Sequence, residues 1–273
     1  MICSRILAAL LLLTAAAATA AAADWRYSVG VHDFAVPDIN SDTYGINGGV
    51  SVDQQTDGGR HVYGSAVLYV DYDQDDNDPS RYPIWWQVHL GTDGDLWKGE
   101  RTRLGWNADL NTRMNTASSI EREMTAMPAL IAGYDADVFR ASAQASAGWF
   151  FLEIDDDVPK ERGYVRTERD SFRNSTFGYS LAADMNLKLG SSFSVYGEAQ
   201  EWWDSHDWLQ TRYKVALRMA AGQSHEQSSE FVLSADFTEY SLDPYFRPDV
   251  GVPIMPWDND VLIRLSFETA WKR

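Results

Sequence analysis

Hydrophobic alternation with a period of two, sustained from Trp25 to the last residues, restricts how this chain can fold more than any other feature. Trp25, Tyr27, Val29 and Val31 alternate with Arg26, Ser28, Gly30 and His32. Further on, Phe177, Tyr179, Leu181 and Ala183 alternate with Gly178, Ser180, Ala182 and Asp184, and Val261, Ile263, Leu265 and Phe267 with Leu262, Arg264, Ser266 and Glu268. Side chains of a strand point to opposite faces in turn, so each segment offers one apolar and one polar face. Twelve such segments can be delimited: 25–33, 43–53, 61–73, 82–91, 101–113, 122–134, 137–152, 175–189, 192–203, 207–220, 229–240 and 259–271. Most run to about ten residues or more, which is what a tilted strand needs to cross a bilayer, whereas strands of soluble sheets average ~5–6. The expected fold is therefore all-β: a single antiparallel, up-and-down transmembrane β-barrel of about twelve strands over residues 24–273. Closure would also remove the edge strands and unpaired backbone groups that a bilayer does not tolerate.

The amino-terminal residues 1–23 follow a different rule. A basic start at Arg5, an apolar core Ile6–Leu13 and an Ala-rich end with small residues at Ala21 and Ala23 make a secretory signal peptide, cleaved before Asp24. Cys3, the single cysteine, lies inside this leader, so the mature chain has no disulfide or thiol chemistry to hold it together. Outside the leader no apolar run approaches the ~20 residues of a membrane helix. With 40 acidic against 23 basic residues and a net charge of −17, the chain lacks the basic face that nucleic acid requires.

Connections and aromatics give independent checks. If both termini are periplasmic, connections 54–60, 92–100, 134–137, 189–192 and 221–228 face the periplasm. The two longest, 153–174 and 241–258, then fall together on the outer side, with 74–81, 114–121 and the brief 204–206. Trp85, Trp86, Trp149, Phe151, Trp202, Trp203 and Trp208 are predicted to form an outer aromatic belt. Trp25, Tyr27, Tyr134, Phe139, Phe193, Phe231 and Trp271 are predicted to form the periplasmic one.

With its leader, its alternating strands and its closing strand Val261–Trp271, the chain resembles the bacterial outer membrane β-barrel superfamily. That resemblance implies residence in the outer membrane among lipids and lipopolysaccharide, and insertion by the barrel assembly machinery. Members of the group end on a terminal aromatic; here Trp271 is followed by Lys272 and Arg273.

Assigning the polar faces inward collects Arg103, Arg113, Arg140, Arg212, Lys214, Arg218, Arg264, Glu198 and Asp236 as candidate pore-lining residues. Arg212, Lys214 and Arg218 form a basic ladder on one strand face. In one reading the ladder lines a narrow passive channel for small hydrophilic solutes, anionic or sugar-like, as rings of Arg and Lys do in anion pores. Small twelve-stranded channels for acidic oligosaccharides look similar in general plan. In the other reading the charges pair into a network and fill a structural or adhesive barrel, whose long loops bind partners.

A surface hydrolase is the remaining alternative. Asp204-Ser205-His206-Asp207 and the acidic stretch from Asp71 through Asp73 to Asp78 both lie at outer strand ends. They resemble the omptin arrangement, in which Asp-x-His and acidic residues across the barrel mouth activate water, with Asp204, His206 and Asp73 as the matching residues. The acidic stretch fails as a calcium loop, because Asp76 stands where a Gly is needed and Tyr82 where the closing Glu belongs. Asp155-Asp156-Asp157 reads as a solvated charge run. Glycine-rich phosphate loops, CxxC pairs and HExxH are absent from the sequence, so no cofactor and no metal are expected.

Overall fold

A computed structural model describes residues 23–56, 60–72, 82–165, 172–223 and 227–271. Its strands are β1 (Asp24–Val36), β2 (Ser41–Gln55), β3 (His61–Asp71), β4 (Ile84–Lys98), β5 (Thr102–Met114) and β6 (Ile120–Asp135). They continue as β7 (Phe139–Ile154), β8 (Arg173–Lys188), β9 (Phe193–Trp203), β10 (Trp208–Gln223), β11 (Gln227–Tyr240) and β12 (Asn259–Trp271). Each strand pairs antiparallel with its sequence neighbours, and β12 returns to β1, with Trp25 opposite Trp271 and Ala35 opposite Val261. The result is the closed twelve-stranded up-and-down barrel that the alternation predicts.

Register keeps the two faces separate around the whole circumference. Val29 pairs with Phe267 and Val31 with Leu265 on the outside, while Gly30 pairs with Ser266 and His32 with Arg264 inside. The outward set leaves Val29, Leu181, Val215, Leu233 and Leu265 exposed. Soluble proteins rarely expose so continuous an apolar surface; here it is the face that meets lipid. Among the described residues no helix is long and apolar enough to cross a membrane, so the strands do the crossing. Outward aromatics meet near both ends: Tyr27–Trp271 and Phe231–Phe267 toward the termini, Trp149–Phe151 and Tyr179–Trp203 toward the other end.

Two expectations need correction. Trp85 and Trp202 do not join the lipid belt: they face inward and are 0% and 3% exposed. Neighbouring residues of one strand take opposite faces, so of each Trp-Trp pair only Trp86 and Trp203 can reach lipid. The second concerns 92–100, expected as a connection. β4 instead runs to Lys98, paired with β5 through a bulge between Asp95 and Trp97. Gly91, Thr92, Asp93, Gly94 and Asp95 carry no large apolar side chain, so alternation does not reveal this strand end.

The packed core lies inside the barrel at the end away from the termini. Wall residues Phe34, Tyr69, Trp85, Phe150, Leu152, Trp202, Tyr240 and Leu262 point inward there. They meet Val158, Tyr164, Phe172, Tyr245, Ile254, Met255 and Trp257 from connections 155–172 and 241–258, the former carrying the one-turn helix α1 (Asp157–Glu161).

Candidate functional site

Within this core sits a cage of charges. Arg113 on β5 is 5% exposed, and its Nη2 donates to Asp260 Oδ2 at 2.5 Å and to the Tyr240 hydroxyl. Its Nη1 reaches Thr238 Oγ1 and Asp260 Oδ1, both at 3.3 Å. The Nε side faces Glu123 Oε2 at 3.4 Å. The other Glu123 oxygen accepts from Arg212 Nη2 at 2.6 Å and Gln210 Nε2 at 3.1 Å. Phe34 and Tyr240 each present a ring 5.9 Å from the Arg113 guanidinium, and Trp202 lies 5.6 Å from that of Arg212. A buried charge is tolerated when paired and hydrogen-bonded, and five strands contribute to pairing these. Beside the cage, His32 Nε2 lies 2.9 Å from Asp71 Oδ1, which also accepts from Trp85 Nε1 at 3.2 Å; Trp85 stacks on Tyr69.

Toward the termini the interior turns polar and opens into cavities of about 160, 210 and 750 Å³. One wall carries the basic residues, and every one is matched. Lys214 Nζ and Arg264 Nη2 lie 3.5 and 3.3 Å from Asp236. Arg218 and Arg26 share Glu230 at 3.0 and 2.5 Å, and Arg26 also meets Glu268 at 3.0 Å. Although Lys214 stands opposite Glu198 in register, its ammonium turns to Asp236.

The facing wall is acidic. Asp109 accepts from the Tyr63 hydroxyl and from Asn107 Nδ2, each at 2.6 Å, and lies 3.2 Å from His89 Nε2. A Cβ on Gly91 would overlap both the Asp109 carboxylate and the Tyr63 ring, so glycine there keeps this cluster possible. Glu198 accepts from the Tyr196 hydroxyl at 2.7 Å and Asp184 from Ser142. Asp184 and Glu198 oppose each other directly across β8 and β9. Among the described residues, none of these three carboxylates has a Lys or Arg partner within 4.0 Å.

The predicted pore-lining residues therefore divide. Lys214, Arg218 and Arg264 border one cavity, Glu198 and Arg212 another, and Asp236 lies partly buried between its two cations. Arg113 is enclosed in the cage. Arg103 is exposed near the terminal rim, and Arg140 pairs there with Asp135 at 2.8 Å. Sequence reasoning missed Glu123, Tyr240 and Asp260. Glu123 stands in the all-polar run Glu121-Arg122-Glu123, and Asp260 follows Asp258-Asn259, where a loop and a strand start look alike.

Two of the three hydrolase candidates, Asp204 and His206, lie in the β9–β10 turn. Asp204 Oδ1 accepts the backbone N–H groups of His206 and Asp207 at 2.8 and 2.9 Å, and Oδ2 accepts from Thr176 at 3.2 Å. Partial burial opposes the charged carboxylate, but the Asp207 and His206 N–H groups and the Thr176 hydroxyl outweigh it and hold it below the usual carboxylate range. His206 is exposed and bonds Ser205 at 2.8 Å, so the group closes the β9–β10 turn. Asp73 lies outside the described residues. Asp155, Asp156 and Asp157 hold their oxygens within 4.8 Å of one another, but Lys160 Nζ already sits 2.6 Å from Asp156.

A closed antiparallel barrel with an apolar outer band and a polar lumen defines a transmembrane β-barrel. No protein-family model matches the chain, and no curated protein does. Among solved structures it is similar to the NanC porin, at 8% identity over 89% of this chain and 98% of that one, with a TM-score of 0.48. It is similar also to the KdgM porin in complex with disordered oligogalacturonate, at 7% identity over 92% and 98%, with a TM-score of 0.45. The outer membrane protease OmpT from Escherichia coli is a further similar barrel, at 9% identity over 92% and 97%, with a TM-score of 0.37.

Proposed function

We propose that this protein is an outer membrane channel that passes small hydrophilic solutes by diffusion. The supporting observation is the polar lumen: Ser28, Asn47, Ser51, Ser65 and Ser234 line one cavity and Asn111, Gln144 and Gln200 another. Hydroxyl and amide groups suit hydroxylated, sugar-like solutes. An anion must compete with the carboxylates already holding Lys214, Arg218, Arg264 and Arg26. Residues 1–23 act as a cleaved leader, both termini face the periplasm, and the apolar band contacts lipid and lipopolysaccharide after insertion by the barrel assembly machinery.

The test is single-channel recording of the refolded protein in a planar bilayer under a salt gradient. Discrete current steps support the channel, and the reversal potential gives its selectivity. A folded, heat-modifiable barrel that carries no current, even with its outer connections shortened, overturns it. The dry core at the outer end favours a second reading, a structural or adhesive barrel, and silence in that experiment is its expected result.

A further inference from the structure

We propose that segment 241–258 is a hinged lid over the outer mouth and that its catch is the Trp257–Ser118–Asp260 link to the Arg113 cage; this rests on the channel reading above. The segment leaves the barrel after Tyr240 and returns at Asn259 and Asp260. Tyr240 and Asp260, at its two roots, are the residues that grip Arg113. Ser118, in the turn after β5, reinforces the same point: its hydroxyl donates to Asp260 at 2.7 Å, and its carbonyl accepts from Trp257 Nε1 at 3.0 Å.

Elsewhere the lid is held by side chains. The Tyr245 hydroxyl donates to the Leu152 carbonyl at 3.1 Å, the Tyr164 hydroxyl to that of Val252 at 2.7 Å, and Arg162 Nε to that of Pro253 at 2.8 Å. Its own Ile254, Met255 and Trp257 are 0%, 1% and 4% exposed. Backbone bonding is different. Among the described residues, backbone bonds from the lid to the wall lie at its root, from Ser241 N–H to Leu209 and from Tyr240 N–H across the neck to Asp258. The rest close local turns, such as Val250 and Gly251 to Arg247. A segment docked by side chains, outside the sheet's hydrogen-bond ladder, can leave as a unit while the barrel stays closed. Its departure would free Trp257 from the Ser118 carbonyl, loosen the Ser118 hydroxyl's hold on Asp260 and uncover the cage from above.

The experiment compares open fractions in planar bilayers for the wild-type chain, Asp260→Asn, Trp257→Ala, Tyr164→Phe and a chain with residues 243–256 replaced by a short Gly/Ser turn. Heat-modifiable migration confirms folding of each. The wild type is expected to be closed most of the time, with the shortened chain open persistently and Asp260→Asn and Trp257→Ala raising the open fraction about tenfold. Tyr164→Phe, which deletes one hydrogen bond without touching the cage, gives a smaller rise and serves if the shortened chain fails to fold. Conducting chains that all show the wild-type open fraction, or a lower one, overturn the lid and leave the channel standing. Folded chains that are all silent overturn the channel, and the lid with it.

Discussion

At the end of the lumen away from the termini, Arg113 has a side chain 6% exposed among Phe34, Tyr240 and Asp260; toward the termini, Arg218 keeps 38% beside Glu230 and open space. Both sit on inward faces of strands with the same alternation, and both form ion pairs. Their surroundings differ. Around Arg113 its charged partners are enclosed by large aromatic and aliphatic side chains; around Arg218 the inward positions are small, serines, an asparagine, valines and an alanine, with other charges between them. The outward face is uniform because lipid is its only solvent. The inward face decides separately, level by level, whether a cross-section is filled or wet.

The largest expected effect tests that contrast directly. Arg113→Ala leaves Asp260 and Glu123 buried without their partner and should cost about 3–5 kcal/mol in denaturant unfolding from lipid vesicles. Arg218→Ala, at a half-exposed pair, should cost no more than about 1 kcal/mol. Equal losses would mean the two levels are equally hydrated. Trp85→Ala should cost about 3 kcal/mol in the same assay through the cavity it leaves on Tyr69.

A smaller effect, of opposite sign, belongs to the acidic wall. The double variant Asp184→Asn with Glu198→Gln removes like charges facing each other across two strands. It should raise stability by up to about 1 kcal/mol and move the reversal potential toward anions. Unchanged selectivity would separate that wall from the conduction path.

The smallest lies at the β9–β10 turn, where Asp204→Ala should cost about 1 kcal/mol or less. The folded carboxyl is held below its unfolded value, so its contribution is present above the usual carboxylate range and fades as pH falls through the lowered value. Unfolding midpoints of wild type and variant should therefore converge in acid. A gap that widens in acid would reverse the assigned cause.

Alternation made the barrel legible because lipid imposes one requirement on every outward position. The same parity placed Arg212, Lys214, Arg218 and Arg264 inside. It could not separate a dry inward face from a wet one, since both follow the same period. Along β4, Trp86 shares parity with Ile84, Val88 and Leu90, and Trp85 with Gln87 and His89, so the inward member of that pair was legible once the aromatics were not both assigned to a belt. Glu123 and Asp260 were hidden for a different reason: in runs polar on both faces, parity carries no signal. That the basic ladder is neutralised rung by rung depends on pairing between β10, β11, β12 and β1, which is set by three-dimensional proximity.

The separation of the cage partners along the chain bears on how the barrel assembles. Arg113 and Asp260 are 147 residues apart, and Arg26 and Glu268 are 242 apart. A slip of two residues along any seam keeps each side chain on its proper face, so an exterior built of interchangeable Val, Leu and Phe accepts the error. The interior does not, because such a slip carries a carboxylate roughly 7 Å from its guanidinium. Faces are specified by hydrophobicity and offset by charge. The buried ions thus discriminate between shears: a barrel closed out of step leaves buried charges without their partners, which is strongly destabilising.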